Sequence, residues 1–344
     1  LEVCAALNRT RQLPVAEAPP PQLTLIPDMA DVRGQLHARR ALEVAAAGNH
    51  HILLIGTPGC GKTLLASRLP GLLPEASEAE ALETAAIASV SGRGLDPSRW
   101  RQRPYRSPHH TASAVALVGG GADPRPGEIS LSHNGVLFLD ELPEWDRKAL
   151  EVLREPLESG TVTVSRAARS SEFPARFQLV AAMNPCPCGW AGDPSGRCRC
   201  SPEHIRRYRA RISGPLMDRI DLHIEVPRLP PQDLRPDAPN GEATFLIRAR
   251  VEQARTVQLQ RTGKANAQLG QAETMAFCRL QDRDQALLER AIERLQLSAR
   301  SMHRILRVAR TIADLAGAED IATPHLTEAL GYRRMDRGQG QQAA

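Results

Sequence analysis

The residues Gly56-Thr57-Pro58-Gly59-Cys60-Gly61-Lys62-Thr63 fit the spacing G-x-x-x-x-G-K-[ST]. Such a turn binds phosphate for physical reasons. Its glycines let backbone N–H groups curl around an oxyanion, and the helix that follows points its positive end at the charge. Lys62 is placed to contact the β and γ phosphates of ATP, and the Thr63 hydroxyl to ligate Mg²⁺. A Gly-rich turn with an incidental lysine is the plainer alternative. It is disfavoured by the apolar run His51 to Ile55 before the turn and the helical pattern after it. A second apolar run, Val136 to Leu139, ends in Asp140-Glu141. Asp140 can hold Mg²⁺ through water, and Glu141 can orient and activate an attacking water. Acids at a strand end are common. Paired with the phosphate turn, they separate ATP hydrolysis from phosphoryl transfer to a small molecule. The chain has no N-K-x-D segment for guanine, which disfavours a GTPase. A third run ends in Met183-Asn184. Asn184 can help fix the water near the γ-phosphate, or it is simply the turn residue before Pro185.

These groups need a scaffold that delivers strand ends side by side. The short apolar runs at His51–Ile55, Val136–Leu139, Phe177–Ala182 and Asp221–Val226 read as buried parallel strands. Helical spacing at Asp31–Gly48, Lys62–Leu69, Ser77–Val90 and Arg147–Glu158 alternates with them, which predicts an open α/β sheet covered on both faces. The stretch 91–134 reads as irregular. Beyond the Pro-rich segment Pro227–Pro239, strand signals vanish, and Glu242–Leu330 reads as three or four helices. The 344 residues allow roughly two domains. Aromatics make up only 3%, too few for a protein that reads nucleic acid by stacking bases. The net charge of +5 permits a polyanionic partner without demonstrating one. No apolar run is long enough to span a bilayer and no secretory segment opens the chain, so a cytoplasmic protein is expected.

Together, the phosphate turn, Asp140-Glu141 and Asn184 resemble an AAA+ ATPase, with Asn184 as its sensor 1 residue. Longer segments narrow the resemblance. Ser107-Pro108-His109-His110-Thr111, Gly119-Gly120-Gly121, Pro126-Gly127-Glu128-Ile129, Gly135 to Glu144, Met183 to Gly189 and Gly214 to Asp221 resemble the magnesium-chelatase-like ATPases of the ComM/YifB type. The resemblance runs from about 31 to 334. It implies an AAA+ P-loop core at 25–228, with hairpin inserts near 107–121 and 161–176. A linker at 229–240 and a small α-helical lid at 241–335 follow, with tails at 1–24 and 336–344. Members of that family carry an N-terminal Lon-protease-like domain of the ribosomal S5 fold. Nothing in this sequence matches it and the chain starts at Leu1, so the ATPase part of a longer protein is expected.

The resemblance also implies hexameric rings with ATP between subunits. Arg219 matches the arginine finger that reaches a neighbour's γ-phosphate; a plainer reading pairs it with Asp218 or Asp221. Arg300 matches sensor 2, in the first turn of a lid helix that Ser298 caps. Arg304, Arg307 and Arg310 share that helix, so the choice rests on the match. Asp31 to Gln35 resembles the stretch lining the adenine pocket. In relatives that move DNA, the hairpin at Thr161–Pro174 points into the ring channel, which would bring Arg166 and Arg169 to phosphates of single-stranded or branched DNA. An ordinary solvated hairpin fits equally well. The leading expectation is a ring motor for DNA branch migration. A chelatase-type motor that remodels a protein, or a nucleotide-gated assembly module, are the alternatives.

Four of the seven cysteines fall within fifteen residues: Cys186-Pro187-Cys188 and Cys198-Arg199-Cys200. Four thiolates on one loop suit a closed, tetrahedral structural Zn²⁺ site, although zinc ribbons usually space their cysteines C-x₂-C. Substitution by His204 and free thiols on a loop are the alternatives. The basic run Arg206, Arg207, Arg209, Arg211 follows, for DNA or a subunit interface.

Overall fold

The computed structural model describes residues 27–333, except 93, 95, 122, 167, 168, 236 and 296, together with Asn8. The expected tails thus lie outside the described residues, apart from Asn8. At Arg166, Arg169 and Leu234 only the backbone is described.

Nine strands occur among the described residues: β1 (Ile52–Ile55), β2 (Tyr105–Arg106), β3 (Gly119–Gly120), β4 (Arg125–Pro126), β5 (Val136–Leu139), β6 (Thr161–Arg166), β7 (Arg169–Pro174), β8 (Gln178–Met183) and β9 (Leu222–Glu225). Five of them form one parallel sheet in the order β2-β5-β8-β1-β9. Helices flank this sheet and more follow it, as expected of an AAA+ core with a helical C-terminal region. Every residue of β1, β5 and β8 is buried. That is the signature of a strand covered on both faces, and it explains why their sequences are apolar runs, Gln178 of β8 excepted, rather than alternating ones.

Alternate residues along these strands feed two cores. Ile52, Leu54, Phe138, Val180 and Ile224 face the helices Leu36–Gly48 and Lys62–Leu72. Leu53, Ile55, Leu137, Leu139 and Leu179 face Leu117, Trp145, Leu150, Tyr208 and Leu216. The C-terminal helices have no separate core. Ile247, Val251, Leu269, Ile305 and Ala309 belong to the same apolar cluster as the first sheet face. At about 25 cal/mol per Å² of buried apolar surface, this shared packing is the main force holding the C-terminal helices to the sheet. Arg255 adds to it, donating from the helix Thr244–Thr262 to the carbonyls of Ala46 and Ala47.

Several elements differ from expectation. The helix expected from Asp31 begins at Leu36, after a 3₁₀ turn at Met29–Asp31. Gly34 and Gln35 between them adopt left-handed backbone conformations. A side chain at position 34 would also crowd the tips of Leu229 and Asp233 within 3 Å, so the left-handed backbone and the space both favour glycine there. The expected helix Arg147–Glu158 breaks into Arg147–Glu151 and Pro156–Ser159. Pro156 has no N–H to continue a helix and fits only the first turn of the next one. The stretch 91–134 is not irregular throughout its described residues. It supplies edge strand β2, the short helices Ala114–Val118 and Glu128–Leu131, and the β3-β4 pair. Among the described residues five α-helices follow residue 243, not three or four: Thr244–Thr262, Gln271–Phe277, Asp282–Leu295, Ala299–Leu315 and Thr323–Gly331.

The hairpin β6-β7 pairs Thr161 with Pro174 through to Arg166 with Arg169. The side chains of Arg166 and Arg169 lie outside the described residues. Among the described residues, no helix is long and apolar enough to cross a membrane.

Candidate nucleotide site

Three adjacent strands end at one edge of the sheet. β1 leads into the phosphate turn, β5 into Asp140-Glu141 and β8 into Asn184. Because β8 runs between β5 and β1, Asn184 arrives between the acids and the turn. This is where open α/β sheets bind ligands, beyond the carboxyl ends of their strands. Gly59 (φ 75°) and Gly61 (φ 98°) take left-handed conformations, and a side chain at Gly59 would meet nothing within 4 Å. The turn therefore opens outward and presents its N–H groups. The Lys62 ammonium donates to the carbonyls of Gly56 (2.8 Å) and Thr57 (3.1 Å) and to Asn184 Oδ1 (3.0 Å). The Thr63 hydroxyl donates to Asp140 Oδ2 at 2.9 Å. These contacts join the lysine to the third strand end and the threonine to the second.

Asp140 is fixed further. Its carboxylate accepts from the N–H of Glu141 (2.8 Å), and its carbonyl accepts from the Trp145 indole (2.9 Å). Burial, together with the Asp140 charge, pushes the Tyr105 hydroxyl up to about 12. Glu141 is half-exposed and holds a left-handed backbone at φ 50°, which is uncommon for glutamate. Its Oε2 lies 3.0 Å from His110 Nδ1, and the His110 ring sits 4.1 Å from that of His109. Sequence reasoning placed His110 in a shared segment but gave it no contact with Glu141. Two histidines after a proline carry no signal for a partner 31 residues away.

The pocket beside the turn is lined by Asp31, Gln35, Cys60, Gly61, Leu64 and Arg228, among others. Gln35 donates to the carbonyls of Pro227 (2.6 Å) and Cys60 (3.3 Å). Its Oε1 and the Thr57 hydroxyl are buried without hydrogen-bond partners among the described residues. A base and phosphates would supply such partners, so the pocket and the turn fit a nucleotide. The carboxylate of Asp140 beside the Thr63 hydroxyl fits a hard, oxygen-seeking cation such as Mg²⁺.

The two arginines singled out from sequence do not join this group. Arg219 is buried, donates to the Pro215 carbonyl (2.6 Å) and pairs with Glu158 at 2.6 Å. Arg300, 60% exposed, approaches the same carboxylate at 3.6 Å. Neither bonds to the phosphate turn among the described residues. The pairing of Arg219 with Asp218 or Asp221 is not made. Asp221 instead accepts from Arg304 (2.6 Å) and from the backbone of His51 (2.9 Å). Burial disfavours its charge, but Arg304 outweighs that and holds the carboxyl well below its ordinary range. Arg307 is bound to Thr274 and Ala267, and Arg310 to Asp314, Ala318 and Glu319. Of the four arginines on this helix, Arg300 is the one without a structural anchor in the chain's interior.

Two family models match the chain: "Magnesium chelatase, subunit ChlI" over residues 28–234 and "Magnesium chelatase, subunit ChlI C-terminal" over 241–333. The chain belongs to the magnesium chelatase ChlI family. It is 55% identical over 311 residues to "Competence protein ComM" of Haemophilus influenzae, which covers 90% of this chain and 60% of that protein. It is 50% identical over 340 residues to "Uncharacterized protein YifB" of Escherichia coli, covering 97% of this chain and 66% of that one. A more distant relative is an MCM-type protein of Methanocaldococcus jannaschii, 28% identical over 172 residues, which is 50% of this chain and 19% of that protein. The chain thus spans less than two thirds of the first two relatives. Membership suggests an AAA+ ATPase that uses ATP and Mg²⁺.

This family member also carries the cysteine loop. The four Sγ atoms lie within 4.8 Å of one another, with Cys186–Cys188 at 3.3 Å, Cys186–Cys198 at 3.8 Å and Cys188–Cys198 at 3.7 Å. Tetrahedral Zn–S bonds of about 2.3 Å require sulfur atoms about 3.8 Å apart. The tighter C-x-C spacing therefore does not prevent a four-sulfur site. Backbone N–H groups of Trp190 and Arg199 pull the Cys188 thiol down to about 6. A backbone N–H favours the Cys200 thiolate, but the neighbouring thiols outweigh it and push Cys200 up to about 11. Four sulfurs this close cannot all ionise without a cation among them. His204 is not part of the cluster; its N–H is capped by Ser201 at the start of the helix Pro202–Arg209. In the basic run, Arg209 donates to the Pro185 carbonyl, Arg211 to Pro143 and Glu144, and Arg207 to Glu203.

Proposed function

We propose that the chain is the ATP-hydrolysing part of a hexameric ring motor that acts on DNA, driving branch migration on single-stranded or branched substrates. The observation that carries the hydrolytic reading is the linked set of Lys62, Asn184, Thr63 and Asp140, with Glu141 half-exposed beside it. Residues 25–228 form the nucleotide-binding core and 241–335 the lid; the two family models divide the chain at nearly the same place.

In this reading the N–H groups of residues 56–63 bind the phosphates, and Lys62 moves from its carbonyl and Asn184 partners to the β and γ oxygens. Thr63 and Asp140 hold Mg²⁺, which when bound neutralises developing charge on those oxygens. Glu141 accepts the proton of the attacking water, and Asn184 orients that water. Arg219 reaches a neighbour's γ-phosphate as the arginine finger, and Arg300 faces the nucleotide from the lid as sensor 2, both having left Glu158. Arg166 and Arg169 grip DNA phosphates in the channel without reading sequence. Cys186, Cys188, Cys198 and Cys200 hold a structural Zn²⁺.

The DNA part draws support from the similarity to a competence protein. Its test is ATP turnover by a confirmed hexamer with and without DNA. Stimulation that falls steeply with salt is expected; equal turnover in both conditions removes DNA from the function. The name of the family model favours a second reading, a motor that remodels a chelatase-type protein partner. That reading requires stimulation by such a partner and none by DNA.

A further inference from the structure

We propose that the four-cysteine loop positions the nucleotide site, so that its bound metal sets nucleotide affinity. This rests on the zinc reading above. The loop between Met183 and Pro202 contains no helix or strand among the described residues. Cys186 is buried but belongs to neither apolar core, and the other three cysteines are more exposed. Apolar packing therefore does not fix this loop, and the thiol cluster is the feature able to do so. Metal binding then supplies the ordering free energy that packing supplies elsewhere.

Two contacts carry that order to the nucleotide. Gly189 lies between the two cysteine pairs, at φ 83°, and its N–H donates to the Cys186 carbonyl. A side chain here would meet Pro58 of the phosphate turn at 2.7 Å, so the loop backbone rests directly on that turn. Trp190 follows. Its ring carries the Arg197 guanidinium at 4.0 Å from the ring centre on one contact and that of Arg228 at 5.3 Å on another. Arg228 lines the nucleotide pocket beside Gly59 and Cys60. Thus two adjacent residues of the loop act on the site: Gly189 seats the turn, and Trp190 holds a cation at the pocket wall. Asn184 stands two residues before the first ligand, Cys186, so the same loop anchors the strand end that meets Lys62. Gly189, Trp190 and Arg228 act as positioning residues. They govern how well the nucleotide is held, not the proton transfer at Glu141.

The test measures zinc content and binding of a fluorescent ADP analogue on the full chain, as purified, after removal of zinc with a thiol-displacing reagent and chelator, and after zinc is restored. One zinc per chain is expected, with reversible weakening of ADP binding on its removal. Trp190→Ala, with zinc bound, should weaken binding roughly three- to tenfold, the size of a lost cation–aromatic contact. KM for ATP should rise by the same factor while kcat changes little, and Trp190→Phe should restore most of the loss. A chain that neither contains nor takes up zinc overturns the zinc reading. One zinc per chain whose removal leaves ADP affinity unchanged overturns the positioning role alone. If the zinc-free chain unfolds, zinc-loaded Trp190→Ala decides: unchanged affinity overturns the proposal.

Discussion

The phosphate end of the sheet and the arginine pair at Glu158 are built on different plans. At the phosphate end each polar group already touches the group it would work with: Lys62 meets Asn184, and Thr63 meets Asp140. The strands that bring them are buried and neighbouring, so the site is assembled within one chain. Arg219 and Arg300 are also brought together, but on a single carboxylate and with no bond to the phosphate turn among the described residues. One of these guanidinium groups is buried and the other exposed, and both lean on Glu158. In the proposed reading, the binding half of the site lies within one chain, while the arginines reach it only on assembly.

The sharpest way to break this contrast is Arg219→Ala. In hexamers it should lower ATP turnover about 10³-fold while leaving nucleotide affinity of the isolated chain intact. Mixing this variant with Lys62→Ala should restore part of the activity, because each supplies what the neighbour lacks; no recovery would place Arg219 at its own chain's nucleotide. Next in size, Glu141→Gln should reduce turnover by about 10² or more with binding and assembly retained, as read by ADP affinity and solution mass. Glu158→Gln tests the arginine side more gently. Glu158 is half-exposed although Arg219 is buried, so solvent screens the pair in part and it should contribute on the order of 1 kcal/mol. Turnover should therefore change only a few-fold, and the change should depend on protein concentration if Glu158 competes with a neighbour's phosphate.

The last test uses pH and concerns stability. Burial, with Arg333 nearby, pushes His223 down to about 3, and burial pushes His51 down to about 4. Each folded-state pKa lies below the unfolded value near 6.5, so the unfolded chain takes up the proton first as pH falls. Stability is therefore full above pH 6.5 and is lost below it, by up to about 1.4 kcal/mol per pH unit for each histidine. His51 Nδ1 accepts from the Leu179 N–H, and Arg333 lies at His223 Nε2, so neither ring readily accommodates the charged form. Tm should fall between pH 7 and 5, and less steeply in His223→Gln. A flat profile would mean that the strand β9 side is not held by neutral histidines.

The sheet was largely legible before the structure. β1 and β5 are apolar throughout, and β8 is apolar after Gln178, because both faces are covered, and the phosphate turn is a local motif whose spacing does not depend on distant residues. The edge strand β2 was not legible, since two residues beside Pro104 give no period to detect. The break at Pro156 was visible in principle but was overridden by helical spacing on either side. The parts of the site that escaped are long-range. Glu158 lies 61 residues before Arg219 and 142 before Arg300, and nothing in a one-dimensional pattern joins them. Asp221 looked like a ready partner for Arg219 from two residues away, yet Arg304, 83 residues on, takes it instead. Sequence proximity was a poor guide to charge pairing because strand β9 turns Asp221 toward the C-terminal helices.

The left-handed backbone of Glu141 carries a thermodynamic cost beside the chemical role proposed for its side chain. A non-glycine residue held at φ 50° carries about 1 kcal/mol or more of conformational strain. Only glycine occupies that region freely. Glu141→Gly should therefore yield a chain whose ATP turnover falls at least as far as that of Glu141→Gln and which yet melts slightly higher than the natural one. Heat resistance gained at the same position where reactivity is lost would mark the place where this protein has traded durability for work.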